Sequence, residues 1–84
     1  MRVFQENIYN ALIRQSNWCG ENTSLLTKNG VSSVVYYRSE IATIDHNTKT
    51  AKLSYCGYHT VSTGARINAV KKFCDNYGYE YSMD

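Results

Sequence analysis

The sequence predicts an α+β domain in which a small antiparallel sheet of about four strands, a meander, packs with an N-terminal and a C-terminal helix. Three observations carry this. Apolar residues recur at helical spacing near both ends of the chain, a β-branched and aromatic block fills the middle, and an Asn-Gly pair divides that block. The 84 residues make a single domain, 1–84, large enough for one modest core.

Phe4, Ile8, Ala11 and Leu12 fall on one face of an amphipathic helix over residues 3–16. Glu6, Asn7, Asn10 and Arg14 occupy its other face, and Ser16-Asn17 followed by Gly20 marks its exit. Trp18 is expected to close one end of the core. Residues 23–27 begin the strands, and Asn29-Gly30 is the signature of a type I′ hairpin. Residues 31–37 are β-branched and aromatic. Arg38-Ser39-Glu40 reads as a tight turn or edge bend before residues 41–44 resume the apolar pattern. Residues 45–49 are turn chemistry, since Asp and Asn side chains bond their own backbone. Ala51, Leu53 and Tyr55 then alternate with Thr50, Lys52 and Ser54, so one face of the sheet should stay open to water. A second helix is expected over 63–77, with Ile67, Val70, Cys74 and Tyr77 on one stripe and Phe73 beside it. Ser62 or Thr63 is the expected N-cap and Gly78 the C-terminal glycine. Tyr79, Tyr81 and Met83 alternate with polar residues, which fits a short final strand or an ordered tail.

Nine basic residues face seven acidic ones, far from the footprint of a duplex-DNA binder. Nucleic acid is thereby disfavoured as a partner, while a small anionic ligand, which needs one or two cationic contacts, fits. Three cysteines without CxxC or Cys/His spacing argue against a disulfide framework, and Cys56 and Cys74 read as small buried hydrophobes. His46, His59 and Asp45 lie in no metal-ligand motif, the carboxylates are scattered, and neither a cofactor nor catalysis is implied. With no apolar run near 20 residues and no apolar leader, a soluble intracellular protein is expected, without membrane contact.

The densest chemistry lies in Gly57-Tyr58-His59-Thr60-Val61-Ser62-Thr63-Gly64-Ala65-Arg66-Ile67-Asn68. A helix start offers free N–H groups and about half a positive charge to an anion. Ser62, Thr63 and Arg66 are expected to hold a phosphate. Tyr58, Tyr36 and Tyr37 would stack a base, while His59, Thr60 and Asn68 supply further polar contacts, the histidine or asparagine reading an exocyclic edge. Arg66 is expected on the surface, where an alanine substitution costs less than about 1 kcal/mol.

Asn22-Thr23, then Tyr36-Tyr37-Arg38-Ser39-Glu40-Ile41-Ala42, then Gly57-Tyr58 with Thr60, Ser62-Thr63 and Arg66-Ile67-Asn68 occur in that order. Over roughly residues 22 to 70 this resembles a family of small, mostly uncharacterised bacteriophage proteins. Its pattern runs Asn-Thr, a hairpin ending in Ile-Ala, Gly-aromatic, a Thr-x-Thr-Thr run and Arg-hydrophobic-Asn. Ser62 stands where that family usually has Thr, and Tyr58 where Trp is common; both keep the hydroxyl or the aromatic plane. The resemblance implies a phage origin and an accessory role in the cytoplasm of the infected bacterial host, and it supplies no activity. Together these readings favour a non-enzymatic protein that counteracts host defence by sequestering a cyclic nucleotide signal. A short chain has little concave surface, so a homo-oligomer is expected. The alternatives are a direct inhibitor of a host or CRISPR defence protein, using a tyrosine-rich sheet face, and a binder of single-stranded nucleic acid through Arg38, Lys49, Lys52, Lys71 and Lys72.

Overall fold

The computed structural model describes residues 2–84, which form two helices and six strands. In chain order these are α1 (Val3–Arg14), β1 (Trp18–Gly20), β2 (Thr23–Lys28), β3 (Val31–Tyr36), β4 (Ser39–Asp45), β5 (Thr50–Leu53), α2 (Val61–Tyr77) and β6 (Glu80–Met83). All six strands join one sheet, in sequence order. The β2–β3 hairpin turns through Asn29 and Gly30, both at positive φ (53° and 79°), as a type I′ connection needs. Glycine takes this backbone without the Cβ penalty, and asparagine tolerates it.

Register explains which side is buried. Leu25, Val34, Ala42 and Leu53 line up across β2 to β5, as do Thr27, Ser32, Ile44 and Ala51. These rows face the helices, where Ile8, Ala11 and Leu12 of α1 and Ile67, Val70, Phe73 and Cys74 of α2 complete the core. Each fully buried Leu, Ile or Val contributes about 1.5–3 kcal/mol. A bulge opposite Val34 and Val35 leaves Ile41 as the extra residue of β4 and buries it beside Ala42. The other face carries Ser24, Leu26, Ser33, Val35, Thr43 and Lys52 and is open.

The expectation of about four antiparallel strands in a meander is corrected to a six-stranded mixed sheet. The meander itself is β2 to β5. β1 extends it at one edge, pairing antiparallel with β2 (Trp18↔Leu25), and β6 adds a parallel strand at the other (Thr50↔Glu80, Leu53↔Met83). A parallel pair requires a crossover, and α2 is that crossover: a helix lying across the sheet returns the chain to the end where β5 began. The helix bounds also move. α1 ends at Arg14, with Gln15 in the left-handed region at φ 51°, so residues 16–20 are a short link and a strand rather than a helix exit.

Candidate ligand-binding site

α2 begins two residues earlier than its hydroxyls suggest. Thr60 is the N-cap: its Oγ1 accepts the Thr63 backbone N–H at 3.2 Å and lies 3.0 Å from Thr63 Oγ1. Ser62 is exposed in the first turn, and Thr63 points inward, fully buried. The start of α2 therefore sits at the end of the sheet where β1 turns into β2 and β3 into β4.

Arg66 ties these parts together from the inside. The expectation of a surface arginine is corrected: it is 4% exposed. Nε donates to Thr23 Oγ1 (2.6 Å), Nη1 to the Ser62 carbonyl (2.8 Å) and Nη2 to the Glu21 carbonyl (2.8 Å). The guanidinium lies between two rings, 4.4 Å from the Phe4 centroid and 3.9 Å from that of Tyr36. Planarity is what permits this, because a flat cation can stack on both faces while its edge donates in plane. The Asn22-Thr23 corner and the Ser62-Thr63 turn are thus neighbours, bridged by one buried cation whose hydrogen-bond partners include no carboxylate. With three of its five N–H donors engaged by the protein and its side chain in the lining of neither neighbouring cavity, Arg66 holds the wall rather than projecting into it.

On the other side of Tyr36 lies a cavity of about 500 Å³. Tyr36, Tyr37, Tyr55 and Tyr58 form most of its wall, Ile41 contributes from the bulge, and Arg38, Ser39, Thr60 and Thr63 bring the polar groups. Its size is that of an ordinary small-molecule site, and the mixture of apolar wall with few convergent polar groups is typical of one. Tyr37 and Tyr58 are 67% and 62% exposed, so their rings are available to a ligand. The cavity forms within one chain, without the second copy that chain length suggested was needed to build a concave surface.

A second, more polar cavity of about 530 Å³ adjoins it, sharing Tyr55 and Thr60, and holds His59 and Asn68 with Arg2, Gln5 and Gly64. The His59 ring stacks on Tyr55 at 4.6 Å and 20°. Of the nine residues singled out in the sequence, five (Tyr36, Tyr37, Tyr58, Thr60, Thr63) meet in the first cavity and three (His59, Thr60, Asn68) in the second. Ser62 and Arg66 line neither. Tyr55, which the sequence did not mark as a binding residue, and Arg38, weighed there only for single-stranded nucleic acid, also line the first cavity. Arg38 occupies a two-residue hairpin turn, the signal that would have found it.

Charge is distributed unevenly. Neither cavity has a carboxylate in its lining among the described residues, whereas Arg38, Arg2 and the buried Arg66 surround them. Glu40 is held elsewhere, on the open sheet face, where hydrogen bonds from Ser33 and Thr43 keep its carboxyl below the usual range. The five basic residues weighed for single-stranded nucleic acid do not share a groove: Lys52 is on the open sheet face, while Lys71 and Lys72 are on α2, on the opposite layer. Nor is the open face rich in tyrosine, since the strand residues on it include none.

The far end of α2 has a different character. Tyr79 OH lies 2.8 Å from His46 Nδ1, His46 Nε2 2.7 Å from Ser32 Oγ, and Ser32 Oγ 2.6 Å from Thr27 Oγ1, which donates to the Ser16 carbonyl. With the His46 proton on Nε2, every donor in this chain is used once. Burial holds His46 below its ordinary value, opposed by the nearby Asp45. Ser32 is fully buried, so the pair knits the sheet to β6 rather than presenting a nucleophile. Cys74 matches the expectation of a buried thiol, pushed up to about 11 by burial and by Asp75, whereas Cys56 is exposed, correcting the same expectation for it.

No helix among the described residues is long and apolar enough to cross a membrane. Comparison with curated proteins and with solved structures returned no match. A family model does match, that of the Kyanoviridae Gp96 protein, over residues 1–83. A match over nearly the whole chain settles kinship and fits the phage resemblance carried by the Asn-Thr to Arg-Ile-Asn pattern: the chain belongs to the Kyanoviridae Gp96 family and is a bacteriophage protein.

Proposed function

We propose that this phage protein binds a nucleotide without transforming it, and counteracts host defence by sequestering a cyclic nucleotide signal. The observation that carries the reading is the tyrosine-walled cavity whose lining includes the cation of Arg38 and no carboxylate. A nucleobase is flat, apolar on its faces and polar at its rim, so it suits Tyr37 and Tyr58, with stacking worth about 1–3 kcal/mol per base in single-strand binders. Its phosphate suits Arg38 and the first turn of α2, where Thr60 caps one amide and the helix dipole adds positive potential. The phage family supplies the setting, an infected bacterium, and sequestration asks only for tight binding without turnover.

The test is a thermal-shift panel of the purified protein with linear and 3′,5′-cyclic mononucleotides and with cyclic dinucleotides, followed by mass spectrometry of the ligand released on denaturation. A ligand at a hundred times its Kd adds about 2.7 kcal/mol, a rise of roughly 10–20 °C for a domain of this size. Tyr58→Ala and Arg38→Ala, both at exposed positions, should abolish the shift while leaving the unliganded Tm within a few degrees. A flat panel sinks the reading. Recovery of a hydrolysed or rearranged ligand replaces sequestration with catalysis.

A further inference from the structure

Resting on the nucleotide reading above, we infer that the ligand is a dinucleotide, two bases joined through phosphate, that straddles Thr60 and places one base in each cavity. The two cavities have Tyr55 and Thr60 in common and differ in every other lining residue, so these two side chains form the ridge between them. Each offers the same pair of tools. The first has the exposed tyrosine rings with Arg38; the second has the exposed His59 ring, backed by Tyr55 at 4.6 Å, with Arg2. Asn68 adds an amide with both donors and acceptors in the second cavity, as recognition of a base edge requires.

The ridge between them is where negative charge is best received. Thr60 Oγ1 takes the Thr63 amide and Thr60 O the Gly64 amide, leaving those of Val61 and Ser62 at the exposed helix start. A phosphate there lies between the two cavities, and a base attached on each side reaches one of them. A mononucleotide uses one cavity only. The second then has no role for its stacked imidazole, nor for Gly64 inside a helix, where a Cβ would enter the cavity floor 3.5 Å from the Tyr55 hydroxyl.

The experiment is isothermal titration of the full chain with 5′-AMP, linear 5′-phosphorylated ApA, cyclic di-AMP, the guanine counterparts of all three, and a ten-nucleotide single strand. A dinucleotide should bind at least a hundredfold tighter than the mononucleotide of the same base. His59→Ala should weaken the dinucleotide roughly 5- to 150-fold, the loss of one stacked base, and leave the mononucleotide unchanged. The linear and cyclic arms identify the linkage. Mononucleotide binding as tight as dinucleotide binding, or an equal effect of His59→Ala on both, overturns the two-cavity assignment and leaves the nucleotide reading standing. A single strand that binds tighter than any dinucleotide overturns it in favour of a strand-binding role. Binding of none of these sinks the dinucleotide assignment, and a flat thermal-shift panel that includes the 3′,5′-cyclic mononucleotides sinks the nucleotide reading with it.

Discussion

Removing the Arg66 side chain should cost far more than a surface substitution. Arg66→Ala deletes three hydrogen bonds from a cation, at 2.6, 2.8 and 2.8 Å, and two ring contacts at 3.9 and 4.4 Å. Hydrogen bonds to a charged group are worth about 1.5–3 kcal/mol each, and each cation–π contact about 0.5–2 kcal/mol. The sum overstates the loss, because the guanidinium regains hydration in the unfolded chain and the Ser62 and Glu21 carbonyls are near enough to water to be resolvated. A net loss of roughly 3–5 kcal/mol is expected once that rehydration is discounted from the sum of charged hydrogen bonds and ring contacts. At about 0.05–0.15 kcal/mol per residue the whole domain has only about 4–12 kcal/mol, so the variant is at the edge of folding. Arg66→Lys keeps the charge but loses the flat fork and should fall between the two. Urea titration followed by circular dichroism, with matched m-values, measures this directly. A loss under 1 kcal/mol for Arg66→Ala would mean that the sandwich does not hold the Asn22-Thr23 corner to α2.

Four further outcomes follow from named contacts. Gly64→Ala should raise stability by about 0.5–1 kcal/mol and Tm by roughly 2–8 °C, since the added Cβ meets Tyr55 at ordinary contact distances of 3.5 and 3.8 Å; the same variant should bind a dinucleotide more weakly. Because His46 is held below its ordinary value of 6.5, the unfolded chain takes up the proton first. Stability is therefore full above about pH 6.5 and declines as the pH falls through that value towards the lowered one, a decline that His46→Gln should remove from thermal melts. In native protein at pH 8, a thiol-specific disulfide reagent should label Cys19 and Cys56 within minutes and Cys74 only on unfolding. Tyr37→Gly should leave stability within about 1 kcal/mol of the parent, relief of the left-handed backbone offsetting the lost ring contact with Tyr36, while nucleotide affinity drops at least tenfold.

What the sequence made legible was whatever local chemistry decides. Ile8, Ala11 and Leu12 announce α1 by spacing, Asn29-Gly30 announces its turn, and the alternation through Ala51 and Leu53 announces a half-buried strand. Of the two strands outside the expected meander, β1 is set by its neighbour β2 and β6 by a partner distant in sequence, β5. Trp18-Cys19-Gly20 is too short to show a period, and it becomes a strand because β2 offers it an edge. Residues 80–83 alternate visibly, yet their direction follows from where α2 ends. The site divides in the same way. Of the hydroxyl-rich segment 57–68, Tyr58, Thr60 and Thr63 line the first cavity and His59, Thr60 and Asn68 the second. Arg66 was misplaced because a guanidinium on a surface stripe and one between two rings look identical in sequence. The decisive partners, Phe4 and Tyr36, lie 62 and 30 positions away.

The two ends of the sheet treat backbone strain differently, and the difference bears on function. At the end distant from the cavities, left-handed positions fall on Gln15, Asn29, Gly30, Lys49 and Gly78, three of the five being residues that adopt this conformation at little cost. At the cavity end they fall on Glu21, Asn22, Tyr37, Cys56 and Gly57. The β2–β3 and β3–β4 connections are both two residues long, yet one is Asn-Gly and the other Tyr-Arg. A bulky non-glycine residue held at φ 57° costs on the order of 1–2 kcal/mol, so turn formation alone does not select Tyr37. Its ring sits 4.7 Å from that of Tyr36 and forms the cavity wall, and its neighbour Arg38 is the cation of the same wall. A local rule broken at Tyr37, whose side chain lines a cavity together with that of its neighbour Arg38, is what is expected where side chains matter more than the turn that carries them. By that argument the proposed ligand is to be sought in the cavity rather than on the open face of the sheet.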